Sequence, residues 1–509
     1  MKNVIKRIFV YLGVAIISLI ATCVLCAGFL FFYRDGNIFG FQYISKKEVI
    51  YAKVEQNLSA TEKIEINGKN FDIVVQCSST AKNLIGAMEN KVFGYTTKKK
   101  GVANFTLNYI SGEKKAVFTA QEPSGWLSKN KSYIVVVIPK DVASNKCLIS
   151  ISSNKGDITI DGKDLLKAGE MSIKSAKGDV QIKNSQLAGN VRFEVGSGSF
   201  SIDETCSSEN KINITSSINS GKVFLNKIDS ANLKIDKCEV EKLTKGEIYL
   251  LKANELYSAS NINGGGKIIV KDVVSTKFTS RDTDISIENI SGDVPSVLEV
   301  SGTGRVKVVN SKCELRVIAH NGKVVVDNPY KAINIASDGG DIVVNNATSY
   351  VSVSSGEGNI DVNFSENAGN YSSSDSEASR KIFATTMNGK ITVKGLQNGE
   401  IKATNKGVIN LVYNKVVGNN NISGKNGLVN IVVPAPGTPV GSDYAFNLNV
   451  VKTEVNCDIE VGSVKWLEPV AEGGKAFNNI YNENNIIHNN NLVVESLGGV
   501  IKIRSVDLI

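Results

Sequence analysis

Between Arg305 and Asp361 apolar and polar positions alternate in a pattern that returns every eighteen residues, with Gly304, Gly322, Gly340 and Gly358 at the joins. Each glycine is followed by one variable residue and then by apolar, variable, apolar: Val306 and Val308, Val324 and Val326, Ile342 and Val344, Ile360 and Val362. Nine residues later each full unit repeats the motif, as Leu315 and Val317, Ile333 and Ile335, Val351 and Val353. A period of two marks a half-buried strand, so every unit predicts two short strands. Stacked in register, the units place Val306, Val324, Ile342 and Ile360 in one interior column and Leu315, Ile333 and Val351 in another, with Lys307, Arg316, Asn334, Ser352 and Asp361 outside. Asn310, Asn328 and Asn346 share a corner where their amides can form a ladder. Glycine at the other corner is expected to supply a positive φ.

The same motif recurs with drift at Gly156, Gly178, Gly198, Gly221, Gly246, Gly266, Gly389, Gly407, Gly427 and Gly499, and Thr283 replaces the glycine before Ile285. So many returns at one spacing predict an all-β fold, a parallel β-helix or solenoid of 18–25 residues per coil over residues 146–433, expected to be right-handed. A coil buries about four apolar side chains worth roughly 1.5–3 kcal/mol each, against about 1–2 kcal/mol of ordering per residue, so no coil folds alone. The interval from Gly358 to Gly389 is 31 residues and carries a polar insertion from Ser372 to Ser379; a second insertion, Asn478 to Asn491, includes Ile486 and Ile487.

Residues 34–145 lack the regular glycine and read as an N-terminal β cap that protects the edge of the stack. Strands are expected at Ile64–Ile66, Phe71–Val75, Phe105–Tyr109, Ala116–Ala120 and Tyr133–Ile138, and a short helix at Ser79–Val92. Pro434, Pro436 and Pro439 interrupt the pattern, leaving 434–509 as a C-terminal β region and second cap.

No charge occurs from Ile8 to Tyr33. At about 1.5 Å per residue a helix over this run exceeds the roughly 30 Å of a bilayer core. Lys2, Lys6 and Arg7 precede it while Arg34 and Asp35 cancel behind it, which predicts a cytoplasmic tail at 1–7, a transmembrane helix at 8–33 and an extracytoplasmic remainder. A cleaved signal peptide would carry an apolar core of only about 7–15 residues, and Ile20, Ala21 and Thr22 fit poorly as a lipobox before Cys23. The expected partner is therefore the cell membrane, through an uncleaved anchor.

Composition agrees: aromatic residues are 7%, with 8 Pro and 45 Gly, which favours strands and tight turns over helices. The net charge of +8, from 58 basic and 50 acidic residues, is spread along the chain, and the one tight run, Lys98 to Lys100, reads as a solvated turn. A basic surface can attract anionic lipid or cell-wall polymer; nothing points to nucleic acid. Cys77, Cys147, Cys206, Cys238, Cys313 and Cys457 stand more than a repeat apart and read as free thiols, and the spacing of Cys23 and Cys26 has no second pair to complete a zinc site.

Tyr133 to Pro139, Ile149 to Ile160 with Lys155, Gly156 and Asp157, and Ser172 to Ile182 with Gly178 and Asp179 resemble the bacterial DUF4097-like adhesin families of β-strand repeat proteins. The likeness covers Ile64 to Leu411 and is one of pattern. It implies a β-helical envelope domain, often membrane-anchored and sometimes near envelope-stress systems, with an adhesin label that is itself inferred. It supplies no catalytic residue.

The chain holds 2 histidines. His320, before Asn321 and Gly322, and His488, in the Asn-rich insertion, are read as solvated turn residues without a partner set. Gly418 to Asn426 imitates a phosphate loop but has Asn426 where Ser or Thr is required, and reads as a turn between strands. The pairs Asp338 and Asp341, and Asp282 and Asp284, are the nearest approach to a polysaccharide-cleaving site, yet the positions aligned with Asp341 are Arg305, Lys323 and Asn359. No catalytic, cofactor-binding or metal-ligating residue is nominated, and no cofactor is expected. The reading is a non-catalytic envelope protein that binds cell-wall polymer, surface glycan or an envelope protein. Two alternatives remain, a polysaccharide lyase or hydrolase with carboxylates about 5–10 Å apart and an envelope-stress sensing component.

Overall fold

In the computed structural model the eighteen-residue period is the hydrogen-bonding register itself. Val306 pairs in parallel with Val324, Val324 with Ile342 and Ile342 with Ile360. On the opposite sheet Leu315 pairs with Ile333 and Ile333 with Val351. These seven side chains are at most 2% exposed, so the columns predicted from the alternation form the interior between two parallel sheets. The structure describes residues 2–33, 37–38, 41–97, 104–121, 131–225, 233–258, 262–368, 380–434, 446–452, 457–462, 476–480 and 490–506. The insertion from Ser372 to Ser379, the run Lys98 to Lys100, and Pro436, Pro439, Ile486, Ile487 and His488 lie outside them. Two compact units are present, Met1–Glu194 with Thr205–Glu209, and Val195–Glu204 with Asn210–Ile509. Each is a β-solenoid.

The two corners divide their labour differently from the expectation. Asn310, Asn328 and Asn346 are the residues with left-handed backbone, at φ 58°, 53° and 54°. Gly322, Gly340 and Gly358 are not at positive φ in that range. A Cβ on any of them would fall well under 3.0 Å from the carbonyl oxygen of the glycine one coil below. Glycine is required there because backbone meets backbone. The corner N–H, turned inward, finds a partner three residues back: Gly340 N donates to Ser337 Oγ, Gly358 N to Ser355 Oγ (each 2.9 Å) and Gly389 N to Thr386 Oγ1 (3.0 Å), which meets the demand that buried amides be paired.

In the first unit the elements run α1 (Lys2–Tyr33), β1 (Asn37–Ile38), β2 (Phe41–Gln56), β3 (Lys63–Gly68), β4 (Asp72–Ser78), β5 (Leu84–Thr97), β6 (Asn104–Ile110), β7 (Lys115–Gln121), β8 (Lys131–Pro139), α2 (Lys140–Ala143), β9 (Cys147–Ser153) and β10 (Ile158–Lys177). Spatial order departs from chain order. β3 lies between β7 and β9, parallel to both, and β4 lies between β8 and β10. Outside this coil, β6 is antiparallel to β7, β5 to β8 and β2 to β5. All five strands expected between 64 and 138 are present.

The helix expected at Ser79–Val92 is not formed; Leu84–Thr97 is strand. Its Ala, Met and Glu favour helix locally, but β8 presents an edge that needs a partner, and the edge wins. Gly86 within it leaves room for the stacked rings of Phe105 and Phe118, 6.0 Å apart, which any Cβ there would strike.

The second unit closes on a similar plan. Asn491–Ser496 pairs in parallel with Asn419–Gly424 on one side and Asn447–Lys452 on the other. Gly499–Val506 likewise lies between Leu428–Pro434 and Cys457–Gly462. Ala476–Ile480 then runs antiparallel on Asn447–Lys452. In each unit a coil is held on both faces by others, and the strand beyond reverses direction. The Gly418 to Asn426 segment, expected as a turn, contains the strand Asn419–Gly424; the period-two burial of Asn420, Ile422 and Gly424 was masked by the run of asparagines.

α1 contains an eighteen-residue stretch, Phe9–Cys26, of mean hydropathy 2.5 with no part buried. It is long and apolar enough to cross a membrane.

Gly340→Ala should destabilise the second unit by about 1–3 kcal/mol, because the methyl group has no space between stacked carbonyls. Gly265→Ala, where the nearest atom to a new Cβ is 3.6 Å away, should be close to neutral; denaturant unfolding of both variants checks this, and equal effects would contradict the backbone-contact explanation.

Candidate binding face

The carboxylates that could have formed a cleavage site are turned onto the next coil. Asp284 Oδ1 accepts the Arg305 amide (2.8 Å), and Asp341 Oδ1 accepts both the backbone and side-chain N–H of Asn359 (2.8 and 3.1 Å). Asp282 Oδ1 accepts the amide of Thr303 at 2.8 Å. The same device explains Lys-Gly-Asp in the first unit: Asp157 N donates to Asp72 Oδ1 (3.0 Å) and Asp179 N to Asp157 Oδ1 (2.8 Å). An acidic residue after the corner glycine thus serves an amide of the coil that follows. Asp338 instead meets His320, Nδ1 to Oδ2 at 2.5 Å. The sequence reading gave His320 no partner, although the two residues are one eighteen-residue period apart and the spacing alone could have paired them.

Amide ladders run along the outside. Asn346 donates to Asn328 (3.0 Å), Asn328 to Asn310 (2.9 Å), Asn310 to Asn289 (3.0 Å) and Asn289 to Asp272 (2.7 Å). A second ladder passes from Asn363 to Asn345 (3.2 Å) to Asp327 (2.8 Å). Every rung donates toward the earlier coil, so an asparagine at the first rung would leave an N–H unserved; aspartate, which only accepts, ends the ladder cleanly. Asp161 receives Asn184 (2.9 Å) and Asp236 receives Asn254 (2.7 Å) in the same role.

Burial raises the Asp161 carboxyl, but the amide of Asn184, the Lys163 N–H and the Lys183 charge outweigh it and hold the group below its ordinary value. Asp236 is lowered by Asn254 and by Lys211.

One outer face differs from these polar surfaces. In the motif after Gly221 and Gly246 the outward position between two buried residues is aromatic, Phe224 and Tyr249, and after Gly266 it is Ile269. Register places Phe224 beside Tyr249 and Tyr249 beside Ile269. The two rings are offset-stacked, centroids 4.9 Å apart and planes 14° apart. Tyr249 Oη donates to Glu247 Oε2 at 2.6 Å, and Lys222 Nζ lies 3.2 Å from the same oxygen. The hydrogen bond to Glu247 raises the Tyr249 hydroxyl, while that bond and Lys222 lower the Glu247 carboxyl. Next in the row comes Ser286, a short side chain before Lys307, and the step down leaves a groove of about 470 Å³ bordered by Lys271, Glu288 and Lys307. Sequence reasoning passed over this site, although an aromatic residue at the outward position of a strand motif was its visible signal.

Cys77, Cys147, Cys206, Cys238 and Cys313 are buried and outside any disulfide; burial pushes Cys77 up to about 12 and works against thiolate chemistry. Among the described residues no three His, Cys, Asp or Glu side chains gather as a metal site.

Residues 61–241 match the family described as Toastrack DUF4097, which bears out the resemblance over that segment. A crystal structure of a candidate cell adhesion protein from Clostridium sporogenes is also similar, at 10% identity over 91% of this chain and 100% of that one, with a TM-score of 0.15, too low to carry an argument. No curated protein matches the chain.

The lowered carboxyls set a pH dependence. Their stabilising contribution is complete above the unfolded aspartate value of about 3.9 and is lost as pH falls through the lower folded value. Asp161→Asn and Asp236→Asn should therefore flatten the decline of the denaturation midpoint on acidification below about pH 4; an unchanged slope would show that these rungs are not ionised acceptors.

Proposed function

We propose that the chain is a membrane-anchored, extracytoplasmic β-solenoid that binds envelope material in the manner of an adhesin and carries out no catalysis. The observation that carries this reading is the division of polar chemistry on the stack. Corner carboxylates serve neighbouring amides, and the groove on the outer face is floored by rings and aliphatic side chains. Such a floor retains a ligand by contact area, and the acid beside it, Glu247, is already turned to Tyr249 and Lys222. The Toastrack match over residues 61–241 accords with this reading, since the resemblance implied an envelope domain.

Location follows from the apolar helix and the charges around it. Lys2, Lys6 and Arg7 before the span, against Arg34 and Asp35 after it, favour a cytoplasmic tail at 1–7, a span at 8–33 and export of the rest. Within the 146–433 solenoid region, residues 34–145 then act as a cap on the coils of the first unit and 434–509 on those of the second, because both contain the antiparallel strands that cover parallel coils.

Full-length protein in nanodiscs should co-sediment saturably with purified envelope fractions and release no reducing or unsaturated sugar; sustained sugar release would establish a lyase or hydrolase instead. An impermeant amine reagent applied to intact cells should label the solenoid lysines, and labelling only after lysis would reverse the orientation.

A further inference from the structure

We propose that the groove beside Phe224 and Tyr249 binds a pyranose polymer bearing anionic groups. This assignment rests on the envelope-binding reading and names its ligand class. A pyranose ring has an apolar C–H face and a hydroxylated rim, so it needs an apolar ledge with polar groups at the side. The offset rings of Phe224 and Tyr249 provide the ledge, where dispersion and apolar burial act together. The bond from Tyr249 Oη to Glu247 fixes the ring beforehand and lowers the ordering cost of binding.

Charge selects the anionic class. Lys271 and Lys307 border the groove, opposed there by Glu288 alone. The nearby acids are already engaged, Glu247 with Lys222 and Tyr249, and Asp284 with the Arg305 amide. The two lysines are exposed and can meet carboxylate or phosphate groups carried on the sugar, while Glu288 can accept a hydroxyl.

Size favours a linear polymer over a folded partner. The lining spans five successive outward positions, Phe224, Tyr249, Ile269, Ser286 and Lys307, four spacings of about 4.8 Å or roughly 19 Å. That accommodates a few sugar rings, whereas a stable protein interface buries about 800 Å² on each partner.

The test is calorimetric titration of the full chain in nanodiscs with hexagalacturonate, a carboxylated pyranose hexamer, and with neutral cellohexaose. Hexagalacturonate should bind saturably at one site and at least tenfold more tightly than cellohexaose. Tyr249→Ala should weaken it tenfold or more. Ser286→Phe, which fills the hollow from outside and leaves the interior untouched, should do the same, so a folding defect in the first variant does not decide the matter. Lys271→Gln with Lys307→Gln should bring the two sugars to similar affinity. Absence of hexagalacturonate binding, or binding unchanged in both groove variants, overturns the proposal. Should Ser286→Phe instead dissociate a dimer in sedimentation, a second copy is the occupant and the sugar assignment falls. If Ser286→Phe still co-sediments with envelope fractions while losing no sugar affinity, the envelope-binding reading survives and the groove does not.

Discussion

Backbone stacked on backbone at the glycine corner is the contact on which the solenoid depends. Gly322, Gly340 and Gly358 each place the Cα where a Cβ would penetrate the carbonyl of the coil below. Parallel pairing sets strands about 4.8 Å apart, and the corner of Gly322, Gly340 and Gly358 follows that spacing because its side chain is absent. Once the corners close to this distance, the branched side chains of Val324, Ile342 and Ile360 meet in one column. Their shared burial outweighs an ordering cost that no single coil could meet.

Polar chemistry follows from the same spacing. Side chains one coil apart are within hydrogen-bond reach, so asparagines line up as donors and acceptors in one direction and need an acceptor-only residue at the start. Asp272, Asp327, Asp161 and Asp236 fill that place. An aspartate on this surface is therefore first a structural group, and the groove at Phe224 and Tyr249 stands out because two aromatic rings stack at outward positions.

The registers of Val306 with Val324 and of Leu315 with Ile333 were legible because alternation and period specify them twice over. So was the ladder of Asn310, Asn328 and Asn346. Positive φ is found at Gly156, Gly178, Gly198, Gly266 and Gly499 as expected, but at Gly322, Gly340 and Gly358 the role of glycine was misread, since a corner glycine serves either positive φ or close approach and the letter is the same for both. The insertion of β3 and β4 between later strands was illegible for a different reason: pairing partners distant in sequence leave no local trace. Leu84–Thr97 became strand through such a distant partner, β8. His320 with Asp338, and the aromatic pair of the groove, were readable in principle from the period and from the outward position in the motif.

The central claim is in-register stacking, and pulsed electron paramagnetic resonance measures it directly. Val325 and Asn430 occupy one outward row, linked through Val343, Asp361, Thr392 and Asn410. Five spacings of about 4.8 Å place their backbones roughly 24 Å apart. With Cys23 and Cys26 replaced by serine, nitroxides at Val325→Cys and Asn430→Cys should give one narrow distance near that value, extended only by label reach. A broad distribution passing well beyond roughly 30 Å, the scale of a loose hundred-residue segment, would contradict the stack.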